Sequence, residues 1–357
     1  MSNDRKVRFL PLTIIVMMAV VSCQTSTHQP SNELSSTASS ASIDCQIVEH
    51  KMGETEICGT PKRIIVLGPY VLEPLLALNV QPVGYADHGS FHRGDYSEPS
   101  QQIPYLGNLI TQPLVNVGSS GQPSIEALIK VKPDLILGTD ISNADQYETL
   151  SKLAPTLLFD YYLAEDNLRT IAKAVNRPEQ AEQLLTHTQQ QIASARKTFA
   201  SLVATHPKVG LLSVSELQTA ELQILKVPTK SDILCQSLIE DIGFQRVLPP
   251  GINDDNSMPV KPISLETLPQ LNDADLVILF GHNFSGFQQL DSMEHFAEHQ
   301  LSTLKQAWQG NAIAQSLDAS QAGRVYFIPG YLCAGLLGPI GTELYLEELK
   351  EQLLTPN

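Results

Sequence analysis

Apolar residues along this chain fall into two alternating patterns. Short unbroken runs rich in Val, Ile and Leu are separated by stretches whose apolar positions recur every three or four residues. "RIIVLG" (63–68) has the first pattern, "YVLEPLLALN" (70–79) the second, and "VQPVGYAD" (80–87) returns to the first. "TLLFD" (156–160) continues the series. The alternation restarts at "KVGLLSVS" (208–215), passes through the helical "KSDILCQSLIEDIG", and ends with "GRVYFIPG" (323–330) and a helix near 341–353. Buried runs separated by helices predict parallel sheets with right-handed crossovers. Two such series predict two α/β lobes.

A single long helix is predicted between them. Pro178 suits a first helical position, and Ala181, Leu184, Leu185, Thr188, Ile192, Ala195, Phe199 and Leu202 form one amphipathic stripe. At 1.5 Å per residue, positions 178–205 make a rod of roughly 40 Å. A coiled-coil dimer competes for this stripe, but one stripe fits packing on the chain's own lobes better and implies a monomer. The expected fold class is therefore α/β: two Rossmann-like lobes with mostly parallel sheets, joined by one long rigid helix. The expected boundaries are an N-terminal lobe at 45–177, a linking helix at 178–206 and a C-terminal lobe at 207–357.

The ends and the cysteines add chemistry. Arg5, Lys6 and Arg8 precede "FLPLTIIVMMAVVS", an apolar stretch too short for a comfortable membrane span, which ends at Cys23. The arrangement resembles a bacterial lipoprotein signal at 1–22, with Cys23 acylated as the mature N-terminus. Residues 23–44 are Ser/Thr-rich and nearly uncharged, as expected of a disordered tether. Export permits disulfides. "CQIVEHKMGETEIC" reads as a hairpin that sets Cys45 opposite Cys58, so these two are expected to pair. Cys235 and Cys333 are left as either a second pair or two buried thiols. A formal net charge of −15 argues against nucleic acid, which needs a basic face.

One motif occurs twice. "PSIEALIKVKPDLIL" (123–137) and "PISLETLPQLNDADLVIL" (262–279) share Ser-x-Glu-x-Leu, a helical spacer, then Asp-Leu and an apolar run. Each places a glutamate, Glu126 or Glu266, in the first turn of a helix whose expected N-cap is Ser124 or Ser264. Capping and the helix dipole alone favour an acid there. With "KRIIVLG…LEPLLALNVQPVGYAD" and "QAGRVYFIP", the repeat resembles the substrate-binding proteins of iron-siderophore, haem and cobalamin ABC importers over roughly 45–357. The resemblance implies a binding protein and not an enzyme, with two lobes on one rigid helix and no cofactor or metal of its own. It implies a ferric siderophore as ligand and a permease dimer with its ATPase subunits as partner. It also implies that Glu126 and Glu266 sit at lobe tips facing permease arginines. The protein would work exported, on the periplasmic side, held to a membrane through Cys23.

Ligand residues are expected just after the strands, at their carboxyl ends. These are Tyr70; His88, His92 and Arg93; Thr139 and Asp140; Tyr161 and Tyr162; His282, Asn283 and Phe284; and Tyr331. Arginine, imidazole and aromatic groups suit a bulky, often anionic chelate, with Arg93 the foremost cation. Trp308 is expected in the core. Two rivals remain at this stage. Tyr161–Tyr162 could hold bare ferric ion, and His295 with His299, one helical turn apart, could hold a metal in a membrane-anchored metalloenzyme. No His-Glu-x-x-His, Gly-x-Ser-x-Gly, phosphate-loop or dinucleotide motif is present. The chelate class, including cobalamin and haem, stays open.

Overall fold

The computed structural model describes residues 44–88, 94–215, 222, 224–228, 234–253, 260–284, 286, 290 and 292–355. It begins with the hairpin, β1 (Cys45–His50) and β2 (Gly53–Cys58), in a register that pairs Cys45 with Cys58 and joins them as a disulfide. Val48 and Ile57 bury their side chains against the first lobe. Lys51 N–H donates to the Leu158 carbonyl at 3.0 Å, and Leu158 N–H donates to His50 Nδ1 at 3.2 Å. The hairpin thus occupies backbone groups of an edge strand that would otherwise stay open to pairing with another chain.

The first lobe holds β3 (Ile64–Leu67), α1 (Pro69–Ala77), β4 (Gly84–Asp87), α2 (Pro99–Gln102), β5 (Val115–Ser119) and β6 (Gln122–Pro123). Then come α3 (Ile125–Val131), β7 (Leu135–Thr139), α4 (Asp140–Asn143), α5 (Tyr147–Ser151), β8 (Thr156–Phe159) and α6 (Ala164–Ala174). Its sheet runs β6-β5-β4-β3-β7-β8 and is parallel except for β5 with β6. Every residue of β3, β4, β7 and β8 is buried, as a sheet covered on both faces requires.

Helix α7 (Pro178–Thr205) follows. Its N-terminal Ala181 and Leu185 enter the core of the first lobe, and its Ala195 and Phe199 enter that of the second. One helix anchored in both cores holds the lobes stiffly. No described helix is long and apolar enough to cross a membrane.

The second lobe contains β9 (Lys208–Ser215), β10 (Ile224–Pro228), α8 (Leu234–Asp241), β11 (Gln245–Val247), β12 (Val260–Ser264) and β13 (Leu276–His282). It closes with α9 (Phe296–Gly310), α10 (Ala312–Gln315), α11 (Asp318–Gln321), β14 (Val325–Pro329), α12 (Tyr331–Ala334) and α13 (Pro339–Leu354). The strand order is β12-β10-β9-β13-β14, with β11 also on β9. Strands β9, β11, β13 and β14 are parallel, whereas β10 runs antiparallel to both β9 and β12. The alternation of runs did not predict β10. Positions 216–223 are too few for a crossover helix, so the chain returns antiparallel.

The second copy of the repeated motif also departs from expectation. Leu265–Leu271 forms a 3₁₀ rather than an α-helix. The ring of Pro269 inside it would crowd the carbonyl of Leu265, four residues back in an α-helix, which disfavours the α form there. Cys235 and Cys333 are joined as a second disulfide, tying α8 to α12. Trp308 lies in the core, with its indole N–H donating to Ser320 Oγ at 3.2 Å.

Candidate functional site: a cleft between the lobes

Alternation along the second sheet builds one wall of the cleft. Leu212 and Val214 of β9, Leu225 and Val227 of β10, and Val277 and Leu279 of β13 point into one core. Period two therefore turns Ser213, Lys226, Pro228, Phe280 and His282 to the other face. Opposite them stand Tyr161 and Tyr162, just past β8. A cavity of about 200 Å³ lies between, bounded by these tyrosines, Ser213, Phe280, His282 and Ala334.

The tyrosines hold one another. Tyr70 meets Tyr161 edge to face at 4.7 Å and 83°, and Tyr161 meets Tyr162 at 4.9 Å and 87°. Gly68 reaches φ 118° in the turn that delivers Tyr70, a conformation open to glycine and strained for other residues. The Tyr161 hydroxyl donates to the Ala334 carbonyl across the lobe boundary. Burial drives the phenols of Tyr70 and Tyr161 above their ordinary range, so both stay protonated. His282 is pushed down to about 4, by burial first and then by the positive charge of Lys226. It is a neutral imidazole at physiological pH, able to donate through one nitrogen and accept through the other. Gly330 packs under this ring, where any Cβ would collide with it.

Not every expected residue reaches this cavity. Tyr331 is 3% exposed and sits in an aromatic joint between lobes, stacked on Tyr105 at 5.9 Å and edge-on to Phe296 at 5.3 Å. His88 is exposed after β4, with its N–H donating to Asp87 Oδ1 at 2.7 Å. His92 and Arg93 lie outside the described residues, as does Cys23. Thr139 is buried at the end of β7. Asp140 lies 3.7 Å from the Lys51 ammonium.

Ser213, Lys226 and Phe280 escaped the sequence reading because it looked only past strand ends. The alternation of "LLSVS" and "ILKVP" carried the signal for the first two. Asp87 was also missed; it is fully buried, and burial pushes its carboxyl up to about 7.

The two repeat glutamates are exposed and far from this chemistry in kind. The Glu126 side chain is 80% exposed on α3, where Ser124 Oγ accepts from Ala127 N–H, and it pairs with Lys130 at 2.8 Å. Glu266 lies in the first turn of the 3₁₀ helix. Hydrogen bonds from its own backbone N–H and then the Ser264 hydroxyl hold its carboxyl below the usual range. Among the described residues, the one grouping close enough to hold a metal is Cys45, Glu56 and Cys58, and both its sulfurs are in a disulfide. His295 and His299 gather no third ligand there.

Known proteins share this architecture. The model of the periplasmic binding protein family matches residues 64–332. The Fe(3+)-citrate-binding protein YfmC of Bacillus subtilis strain 168 is 24% identical over 329 residues, covering 91% of this chain and 89% of its own. YhfQ of the same organism, provisionally named an ABC transporter substrate-binding lipoprotein, is 24% identical over 314 residues, covering 86% and 88%. Among solved structures, Staphylococcus aureus SirA complexed with staphyloferrin B shares the fold with a TM-score of 0.67 at 22% identity, over 86% of this chain and 97% of that one.

Proposed function

This chain belongs to the periplasmic binding protein family, and on that premise we propose that it captures a ferric siderophore between its lobes and hands it to the permease of an ABC importer. It is a binding protein and not an enzyme. The observation that carries the ligand reading is the cavity between Tyr161, Tyr162 and His282, at the carboxyl ends of strands from both sheets. Aromatic faces and a neutral imidazole suit the organic shell of a chelate, and Lys226 adds a cation on the same sheet face for its negative charge. At about 200 Å³ the cavity takes part of such a ligand, and the rest extends toward solvent. Bare ferric ion is less well supported, because the Tyr161 hydroxyl already bonds Ala334.

Delivery rests on Glu126 and Glu266, one exposed carboxylate per lobe, meeting permease arginines. Acylated Cys23 keeps the protein at the membrane on the exported side. Uptake of labelled ferric chelate, measured in cells complemented with wild type or with E126A/E266A, tests the delivery step. The double variant is expected to fold and bind as wild type but to lose uptake, since exposed acids contribute little to stability. Undiminished uptake would remove the docking role.

A further inference from the structure

We infer that Glu73 is the positioning residue that sets how the two lobes meet, and so the geometry of the cleft between them; this rests on reading that cleft as the ligand site. Glu73 belongs to α1 of the first lobe and is fully buried. Helix α13 belongs to the second lobe. Its N-cap is Gly338, which has no side chain, and its first residue is Pro339. The N–H groups of a first turn have no partner within their own helix. Here the partner comes from the other lobe: Ile340 N–H donates to Glu73 Oε1 at 2.7 Å. The carboxylate also faces the positive end of the helix dipole.

The seat is shaped for this group. A Cβ at position 338 would collide with the Glu73 carboxylate, so glycine there keeps the approach open. The backbone N–H groups of Gly338 and Gly341 also approach this carboxylate, but Glu73 Oε2 and the buried Thr139 Oγ1 reach no donor at full hydrogen-bond geometry. Both residues line one void of about 10 Å³, roughly the room of a single water. Tyr70 and Tyr161 line the same void, and Tyr161 reaches on to the Ala334 carbonyl. The helix cap, the void and the cleft tyrosines thus form one contiguous polar seam across the lobe boundary. A carboxylate that only supported the local fold would matter for stability alone. One that joins the lobes must also govern their separation.

The test uses the full chain with no ligand added. Spin labels at Lys152→Cys in the first lobe and Lys305→Cys in the second, both exposed, report the inter-lobe distance distribution. Wild type and E73Q, which keeps the accepting oxygen, are expected to give the same narrow distribution. E73A, and G338A, which keeps the glutamate in the chain but fills its seat, are expected to shift or broaden it. A folded E73A or G338A with the wild-type distribution overturns the inference. If E73A does not fold, G338A decides; if neither folds, the carboxylate supports the fold rather than the lobe geometry and the inference fails. Failure here would leave the ligand reading intact, whereas a wild type that binds no ferric chelate would count against that reading alone.

Discussion

At the scale of single residues, three buried groups make the protein's stability depend on pH. Glu73 and Asp87 are each pushed up to about 7 by burial, while carboxyls of an unfolded chain titrate near 4. Between those values the folded chain holds protons that the unfolded chain has released, so stability falls as pH rises. His282 acts in the opposite sense. Burial holds it to about 4, so below about 6.5 the unfolded chain takes up a proton that the folded chain refuses, and stability rises with pH. Two carboxyls outweigh one imidazole, and above about pH 6.5 they act alone. The thermal midpoint is therefore expected to be lower at about pH 7.5 than at about pH 5. E73Q should remove a large part of that fall, of the order of 3 kcal/mol for a displacement of this size. An equal fall in E73Q would show that Glu73 does not titrate in this range.

At the scale of elements, legibility followed the strength of the repeating pattern. Helix α7 was legible to within a residue of its expected end, because seven apolar positions and Thr188 recur at helical spacing. The hairpin and its Cys45–Cys58 bridge were readable because a short turn fixes register. Strand β10 was not, since the alternation of its five residues is short and bounded by stretches with no pattern of their own. The Cys235–Cys333 pairing could not be read either, because it depends on how α8 and α12 pack across a separation of 98 residues. Of the residues lining the cavity, Tyr161, Tyr162 and His282 were among those expected from topology, while Tyr70 packs behind Tyr161 and does not line it. Lys226 was not expected, because it lies within β10 rather than past a strand end, and Glu73, outside the cavity, was not, because its partner Ile340 is distant in sequence. The second disulfide yields a prediction at this scale. Cys333 stands between Tyr331 and Ala334, which pack against the first lobe, and its bridge closes a long loop. C235S/C333S should lose about 2–5 kcal/mol of stability and weaken ligand binding as well. Chemical denaturation beside a ligand titration checks both, and unchanged affinity would confine the bridge to stability.

At the scale of the whole molecule, stiffness is the outcome. Helix α7 enters both cores, Glu73 caps a helix of the opposite lobe, and the core containing the first lobe's residues takes in Phe296, Tyr331 and Leu336 from the second. Lobes joined in this way cannot swing widely without breaking packed apolar contacts. Small-angle scattering is expected to show little change in radius of gyration on ligand binding. A large compaction would contradict a rigid joint.

Capture of a ferric chelate in the inter-lobe cleft is best tested by equilibrium binding. Protein fluorescence should be titrated with hydroxamate, catecholate and citrate-type ferric siderophores, their iron-free forms, haem and cobalamin, on wild type and on Y162A/H282A. At least one ferric siderophore is expected to saturate the wild type, in preference to its iron-free form. The double variant should keep its fold and lose affinity by about tenfold or more, which corresponds to about 1.4 kcal/mol. Wild type that binds none of the ferric siderophores, or a folded Y162A/H282A with undiminished affinity, would contradict it.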